Sequence, residues 1–437
     1  TVLSGTNTSA GGAATTITMN GGDLSLVQNN NTVYSNPVQL AANATMLIGR
    51  ASSTGARTYT LGDLTMLGTN ALVLNIGRTA ADTSNAANTL AFGALTMTAD
   101  LTINNTATSY FPQVTFSGIL SGTDDLFVSA TGTNNSYVSF LNTANSFTGS
   151  YNVSSSGRLR VQSAGTNNVN LASGMFSARV EGPNTTSDIA MGNVTIAGAG
   201  NAMEVGGTTT NGANMMLFGS LTVADTNAAS LAVSRIATSG TYNAAFTNTT
   251  TLTGDLSLSS VTSGLITRLS GQITGAGKLT TTAGSGRIEL TNTANDYAGG
   301  TVVNGGTLVP ARNTVPGGQV TVTAGTLRSE TPDSFRQFDN TNWTINMSGG
   351  FTNISADVDT DVGGNFVVTG TAEIQAYQLT TAGTRRHSIN DLTVGNGTNA
   401  LTLNIRQSAN HTLVIAGTTS ISGRVTIASH HSTGGVA

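Results

Sequence analysis

Apolar and polar residues alternate along this chain in short bursts, and the bursts are cut by glycine. One pattern recurs: Gly, any residue, Leu or Val, Thr or Ser, then an apolar residue. It stands at Gly22-Asp-Leu-Ser-Leu26, Gly62-Asp-Leu-Thr-Met66 and Gly93-Ala-Leu-Thr-Met97, and again at Gly192-Asn-Val-Thr-Ile196, Gly219-Ser-Leu-Thr-Val223, Gly254-Asp-Leu-Ser-Leu258 and Gly423-Arg-Val-Thr-Ile427. Side chains alternate across a strand, so each copy predicts a turn followed by a strand with its apolar pair inward and its Thr or Ser outward. No stretch carries a 3.6-residue apolar period with a capping residue, so helix content near zero is expected.

Longer copies point the same way. Thr54-Gly-Ala-Arg-Thr-Tyr-Thr-Leu-Gly-Asp-Leu-Thr-Met66, followed by Thr69-Asn-Ala-Leu-Val-Leu-Asn-Ile76, returns as Ala382-Gly-Thr-Arg-Arg-His-Ser-Ile-Asn-Asp-Leu-Thr-Val394 and Thr398-Asn-Ala-Leu-Thr-Leu-Asn-Ile405. Related coils are therefore expected at 54–76 and 382–405. Asn142-Thr-Ala-Asn-Ser-Phe-Thr-Gly149 returns as Asn292-Thr-Ala-Asn-Asp-Tyr-Ala-Gly299. Distant copies in a strand-only chain predict stacked coils, a parallel β-solenoid over 1–437, rather than a closed sandwich. At roughly 20–25 residues per coil the chain would make ~18–22 coils.

Composition supports strands and excludes several chemistries. The 437 residues hold 75 threonines and 53 glycines, and only 9% are charged. Thr suits a pleated surface, while Gly and Asn suit turns. A net charge of −4 without a basic cluster argues against nucleic-acid binding. Zero cysteine removes disulfides and thiol chemistry, and fits an exported protein. No apolar run is long enough for a membrane-spanning helix. The one lysine, Lys278, lies in Gly275-Ala-Gly-Lys-Leu-Thr280; Leu279 breaks the phosphate-loop pattern, so an outward strand residue is expected.

Two segments extend the copies. Leu269-Ser-Gly-Gln-Ile-Thr-Gly-Ala-Gly-Lys-Leu279 and Ile288-Glu-Leu-Thr-Asn-Thr-Ala-Asn-Asp-Tyr-Ala-Gly-Gly-Thr-Val-Val-Asn-Gly-Gly-Thr-Leu308 together closely resemble the autotransporter-associated β-strand repeat, also called the passenger-associated transport repeat. Repeat-like units thus span 116–161 and 268–309; in the first, Ser150 replaces the second glycine. The resemblance implies a right-handed parallel β-helix, exported and displayed at a bacterial cell surface. It carries no catalytic residue. No membrane β-barrel of the kind that usually closes such proteins is legible, so a passenger portion is expected.

Function follows from the ends and from sparse candidate sites. Residues 1–49 hold one charged side chain, Asp23, and 410–437 hold one, Arg424. Solenoid ends lacking caps or charges invite strand pairing, so copies of the chain are expected to stack head to tail as a fibre, sheath or matrix. Ala13-Ala-Thr-Thr-Ile-Thr-Met19 is a candidate strand for a neighbouring copy. The alternatives are a monomeric adhesin passenger, with cell-surface glycans as partners, and a β-helix polysaccharide-degrading enzyme. The enzyme needs clustered carboxylates, and the 21 here are scattered, so no catalytic residue is assigned.

Asp357, Asp359 and Asp361 alternate at period two, which puts three carboxylates on one strand face; with a turn carbonyl from 363–365 they could collect calcium. A solvated face is the competing expectation, and no other cofactor is expected. Asp124-Asp125 reads as a turn. Of the four histidines, His387, His411, His430 and His431, the last two would point to opposite strand faces, a poor chelate; Arg385-Arg386 beside His387 reads as a solvated strand end or an anionic-glycan contact. Tyr137, Tyr151 and Tyr297 are candidate sugar platforms, though Phe147 and Tyr297 occupy equivalent copy positions and are expected to pack.

Overall fold

The alternating segments become short strands, each with its apolar residues buried and its polar residues out. Leu72–Arg78, for example, buries Leu72, Leu74 and Ile76 and turns Val73 and Asn75 outward. The computed structural model describes residues 2–3, 15–50, 55–80, 82, 87–107, 112–131, 136–162, 165–180, 188–207, 215–236, 242–310, 319–329, 344–355, 358–362, 364–377, 383–395, 397, 400–408 and 410–432. Over these residues the chain is an all-β parallel solenoid of about 14 turns, with no helix. The strands divide into two compact units, Thr1–Asn214 with Ile236–Tyr242, and Met215–Arg235 with Asn243–Ala437.

Coils differ in length along the stack. Equivalent positions lie 18 residues apart at Asn152 and Asn170, 25 apart at Asp100 and Asp125, and 31 apart at Asp63 and Ala94. Turns absorb the difference, since a solenoid constrains its strands and leaves loop length free.

In the first unit, coils contribute strands to three parallel faces. Leu101–Asn105, Leu126–Ala130 and Tyr151–Ser154 follow one another on one face, Leu64–Met66, Leu95–Thr96 and Leu120–Gly122 on a second, and Thr89–Phe92, Gln113–Phe116 and Val138–Phe140 on a third. Register sets like on like. Ile103, Val128 and Val153 form an inward aliphatic column, and the rings of Phe92, Phe116 and Phe140 stack at 5.1 and 4.8 Å. Outside, Asn104 Nδ2 donates to Asn75 Oδ1 at 2.9 Å and Ser129 Oγ donates to Asn104 Oδ1 at 3.1 Å, an outward polar ladder along the stack. Ile17–Met19 pairs with Val38–Leu40 of its own chain, so this part of the candidate exchange strand is already used; Ala13 and Ala14 lie outside the described residues.

The second unit repeats the scheme. Asn243–Phe246, Ile266–Leu269 and Arg287–Leu290 pair in sequence, and Phe218 stacks on Phe246 at 5.5 Å. Thr360–Asp361, Arg385–Ile389 and His411–Ile415 form a three-stranded sheet.

The sequence copies are structural equivalents. Asn142 Oδ1 accepts the Ala144 N–H, and Asn292 Oδ1 accepts the Ala294 N–H, both at 2.8 Å. Asn145 Oδ1 and Asn295 Oδ1 accept Leu120 N–H and Ile273 N–H from the preceding coil. Phe147 and Tyr297 are both buried, as packing positions. A Cβ at Gly149 or Gly299 would collide with the backbone of the coil beneath, at Asp124 and Gly277 respectively, which explains why both copies keep glycine there. Gly300 adopts φ 77°, whereas Ser150, its counterpart, does not have positive φ.

Candidate functional site

Many of the described carboxylates act between coils. Asp63 Oδ1 accepts the Ala94 N–H at 2.7 Å, Asp100 Oδ1 the Asp125 N–H at 2.9 Å, Asp125 Oδ1 the Ser150 N–H at 2.8 Å, and Asp391 Oδ1 the Thr418 N–H at 2.7 Å. Asp255 Oδ1 accepts the Lys278 N–H at 2.9 Å while Oδ2 pairs with Lys278 Nζ at 3.0 Å; these contacts, the backbone donor first, hold its carboxyl below the usual range. Lys278 therefore sits outward beside a strand, as its sequence context predicts. Each carboxylate caps a turn N–H that parallel pairing leaves over. The fixed place of Asp in Gly-Asp-Leu and Asn-Asp-Leu carried this signal, which the sequence reading treated as turn chemistry alone. Asp391→Ala is expected to cost about 1.5 kcal/mol, so the Thr418 amide should exchange roughly tenfold faster by hydrogen-exchange mass spectrometry; unchanged exchange would remove the staple role.

The calcium candidates are placed only in part. Asp359 and Asp361 are exposed on either side of buried Thr360, as alternation requires, while Asp357 and Gly363 lie outside the described residues. Asp359 Oδ1 accepts the Arg386 N–H at 2.9 Å and Asp361 Oδ1 accepts from Ser388 Oγ at 3.0 Å. Among the described residues no three His, Asp or Glu side chains come together as a metal site.

The histidines are where the structure departs most from the sequence reading. Arg386 is exposed, as a solvated strand end requires, but His387 is not. Alternation turns it opposite exposed Arg386, and it is fully buried. His411, from the next coil, is buried too, and the two rings stack with centroids 5.1 Å apart and His387 Nε2 at 2.8 Å from His411 Nδ1. One nitrogen must donate and the other accept, which requires a neutral acceptor imidazole. Burial, then the neighbouring His411, lowers the His387 pKa to about 4, and Asp359 opposes this only partly. Sequence patterning offered no sign that these residues, 24 apart, would meet.

His411 opens the last described coil, which continues with strands Thr419–Ile421 and Val425–Ser432. They pair with Leu392–Val394 and Leu401–Ser408. In the coil below, Val394 and Leu403 are fully buried; their register partners Ile421 and Ile427 are 55% and 45% exposed. The inward columns thus continue through Ile421 and Ile427. His430, on the same terminal strand, is exposed, and the side chain of His431 lies outside the described residues.

Of the tyrosines, Tyr297 is buried with its hydroxyl 2.5 Å from Thr301 Oγ1, and is no platform. The Tyr137 ring is covered by Arg160, 3.9 Å from its centroid, and its hydroxyl donates to Glu204 at 2.8 Å. Tyr151 lines a cleft treated below. Compared with protein-family models, curated proteins and solved structures, the chain finds no match.

Proposed function

We propose that this chain is an extracellular structural protein, a β-solenoid subunit that stacks end to end with copies of itself into a surface fibre, sheath or matrix. The observation that carries this reading is the like-on-like register of successive coils, in which Ile103, Val128 and Val153 and the rings of Phe92, Phe116 and Phe140 stack in columns that a coil of a second copy can extend. A second copy offers coils of the same cross-section, and the likeness of 54–76 to 382–405 supplies matched shapes. The resemblance of 268–309 to the autotransporter-associated repeat supports export to a bacterial surface. No residue is given a catalytic role in this reading.

Negative-stain imaging and sedimentation across a concentration series test it. The native chain is expected to form uniform fibres that lengthen with concentration. Ile421→Asp with Ile427→Asp places two charges on the stacking face, and association should weaken at least a hundredfold, since burying unpaired charge costs several kcal/mol. Single particles of the native chain at all concentrations would overturn the proposal and leave the adhesin reading in its place.

A further inference from the structure

One coil of the first unit is short, and the shortening opens a cleft. Asn152 and Asn170 hold equivalent places only 18 residues apart. Among the described residues the second face carries no strand after Ser146–Phe147. Beside that edge lies a cleft of about 350 Å³, walled by Ser146 and Thr148 on one side and Thr166 and Asn167 on the other, with Phe147 and Tyr151 between them.

Its chemistry is specific in what it offers and what it lacks. None of its lining residues is charged at neutral pH. The two amide donors of Asn167 are committed to the carbonyls of Phe147 and Gly149 at 3.0 and 2.8 Å, which fixes the side chain and leaves Oδ1 as an acceptor. Tyr151 is wedged between Phe147 and Phe176, with ring centroids at 5.0 and 5.9 Å. Burial raises its phenol, and its side chain lines the cleft. The hydroxyls of Ser146, Thr148 and Thr166 add donors that can also accept.

We propose that this cleft binds a neutral saccharide unit. Several hydroxyls and a fixed amide oxygen match a polyhydroxylated ligand, whose ring C–H face can lie against the edges of Phe147 and Tyr151. A uronate, sulfate or phosphate would find no counter-charge and would lose its hydration without compensation. The volume, at the small end of ligand sites, suits one or two sugar rings. This site is built from first-unit residues and uses none of the side chains invoked for end-to-end stacking.

Saturation-transfer NMR on the full chain tests it, with cellobiose, lactose and diacetylchitobiose as neutral probes and glucuronate as the charged one. At least one neutral disaccharide should bind with Kd on the order of 1 mM, and glucuronate should not. Tyr151→Phe and Thr166→Val each remove a hydroxyl without changing shape greatly, and each should weaken binding roughly five- to tenfold; circular dichroism confirms that the variants keep their strands. Absence of transfer from all three neutral probes, equal binding of glucuronate, or binding unaffected in the Tyr151→Phe/Thr166→Val double variant would overturn the proposal.

Discussion

Asp82→Ala is expected to destabilise the first unit by roughly 3–5 kcal/mol, because it removes the anion from a buried cation site. Arg50 is 1% exposed, and its Nη2 lies 3.6 Å from Asp82 Oδ1. Arg78 Nη2 reaches the same oxygen at 3.1 Å, and Asn88 Nδ2 donates to Asp82 Oδ2 at 2.7 Å. Asn88 Oδ1 in turn accepts the Arg57 N–H at 3.0 Å, so a single carboxylate links three coils' worth of polar groups. Around it, burial pushes the Tyr59 phenol up to about 12, its hydroxyl held by the carbonyls of Gln28 and Gly49. Without Asp82, Arg50 keeps its charge in an apolar setting with no anion. Replacing Asp82 together with Arg50 alone, Asp82→Leu with Arg50→Met, should recover only part of the loss, since Arg78 and Asn88 still aim polar groups at the lost carboxylate. Contacts in a solenoid are between neighbouring coils, so the effect is best read locally, as faster hydrogen exchange in peptides spanning 44–62 and an earlier urea transition of that region. A loss below about 1 kcal/mol would mean that Asp82 behaves as a surface ion pair.

Acid should open the sheet formed by Thr360–Asp361, Arg385–Ile389 and His411–Ile415 before the rest of the second unit. In the folded chain His387 titrates near pH 4, lowered from 6.5. As pH falls through 6.5, the unfolded segment takes up a proton that the folded one excludes. Stability is therefore complete above about pH 6.5 and is lost between 6.5 and 4, by up to roughly 3 kcal/mol. The charged groups nearby do not reverse the sign. Asp359 favours the protonated ring, but burial and His411 outweigh it. Hydrogen exchange of 385–389 and 411–415 at pH 7.5, 6 and 4.5 should show stepwise loss of protection. His387→Leu should abolish the steep acid dependence while keeping the fold at neutral pH. Equal acid sensitivity in the native chain and His387→Leu would assign the transition to the carboxylate staples instead.

Asp82, Arg50 and His387, on which the two effects rest, carry no signal of their burial in the sequence. The residues that packed as expected, Phe147 and Tyr297, lie at repeated positions, where copy and burial argue together. Asp359 and Asp361 took the outward places that alternation dictates, yet their nearest partners proved to be Arg386 and Ser388 of the next coil.

Strand character, the absence of helix, the inward set of apolar residues and the stacked-coil class followed from the sequence by itself. Each depends on a period of two and on turn residues within a few positions, and those are local properties of the backbone. Tertiary structure decided the number of turns, the partner of each carboxylate, the meeting of His387 with His411, and the cleft beside Tyr151. All of these depend on which residue lies one coil away, and that offset varies from 17 to 31 residues. Loop length sets the offset, and loop length is nearly free of energetic cost; only the packed columns, closing side chain upon side chain, select the register.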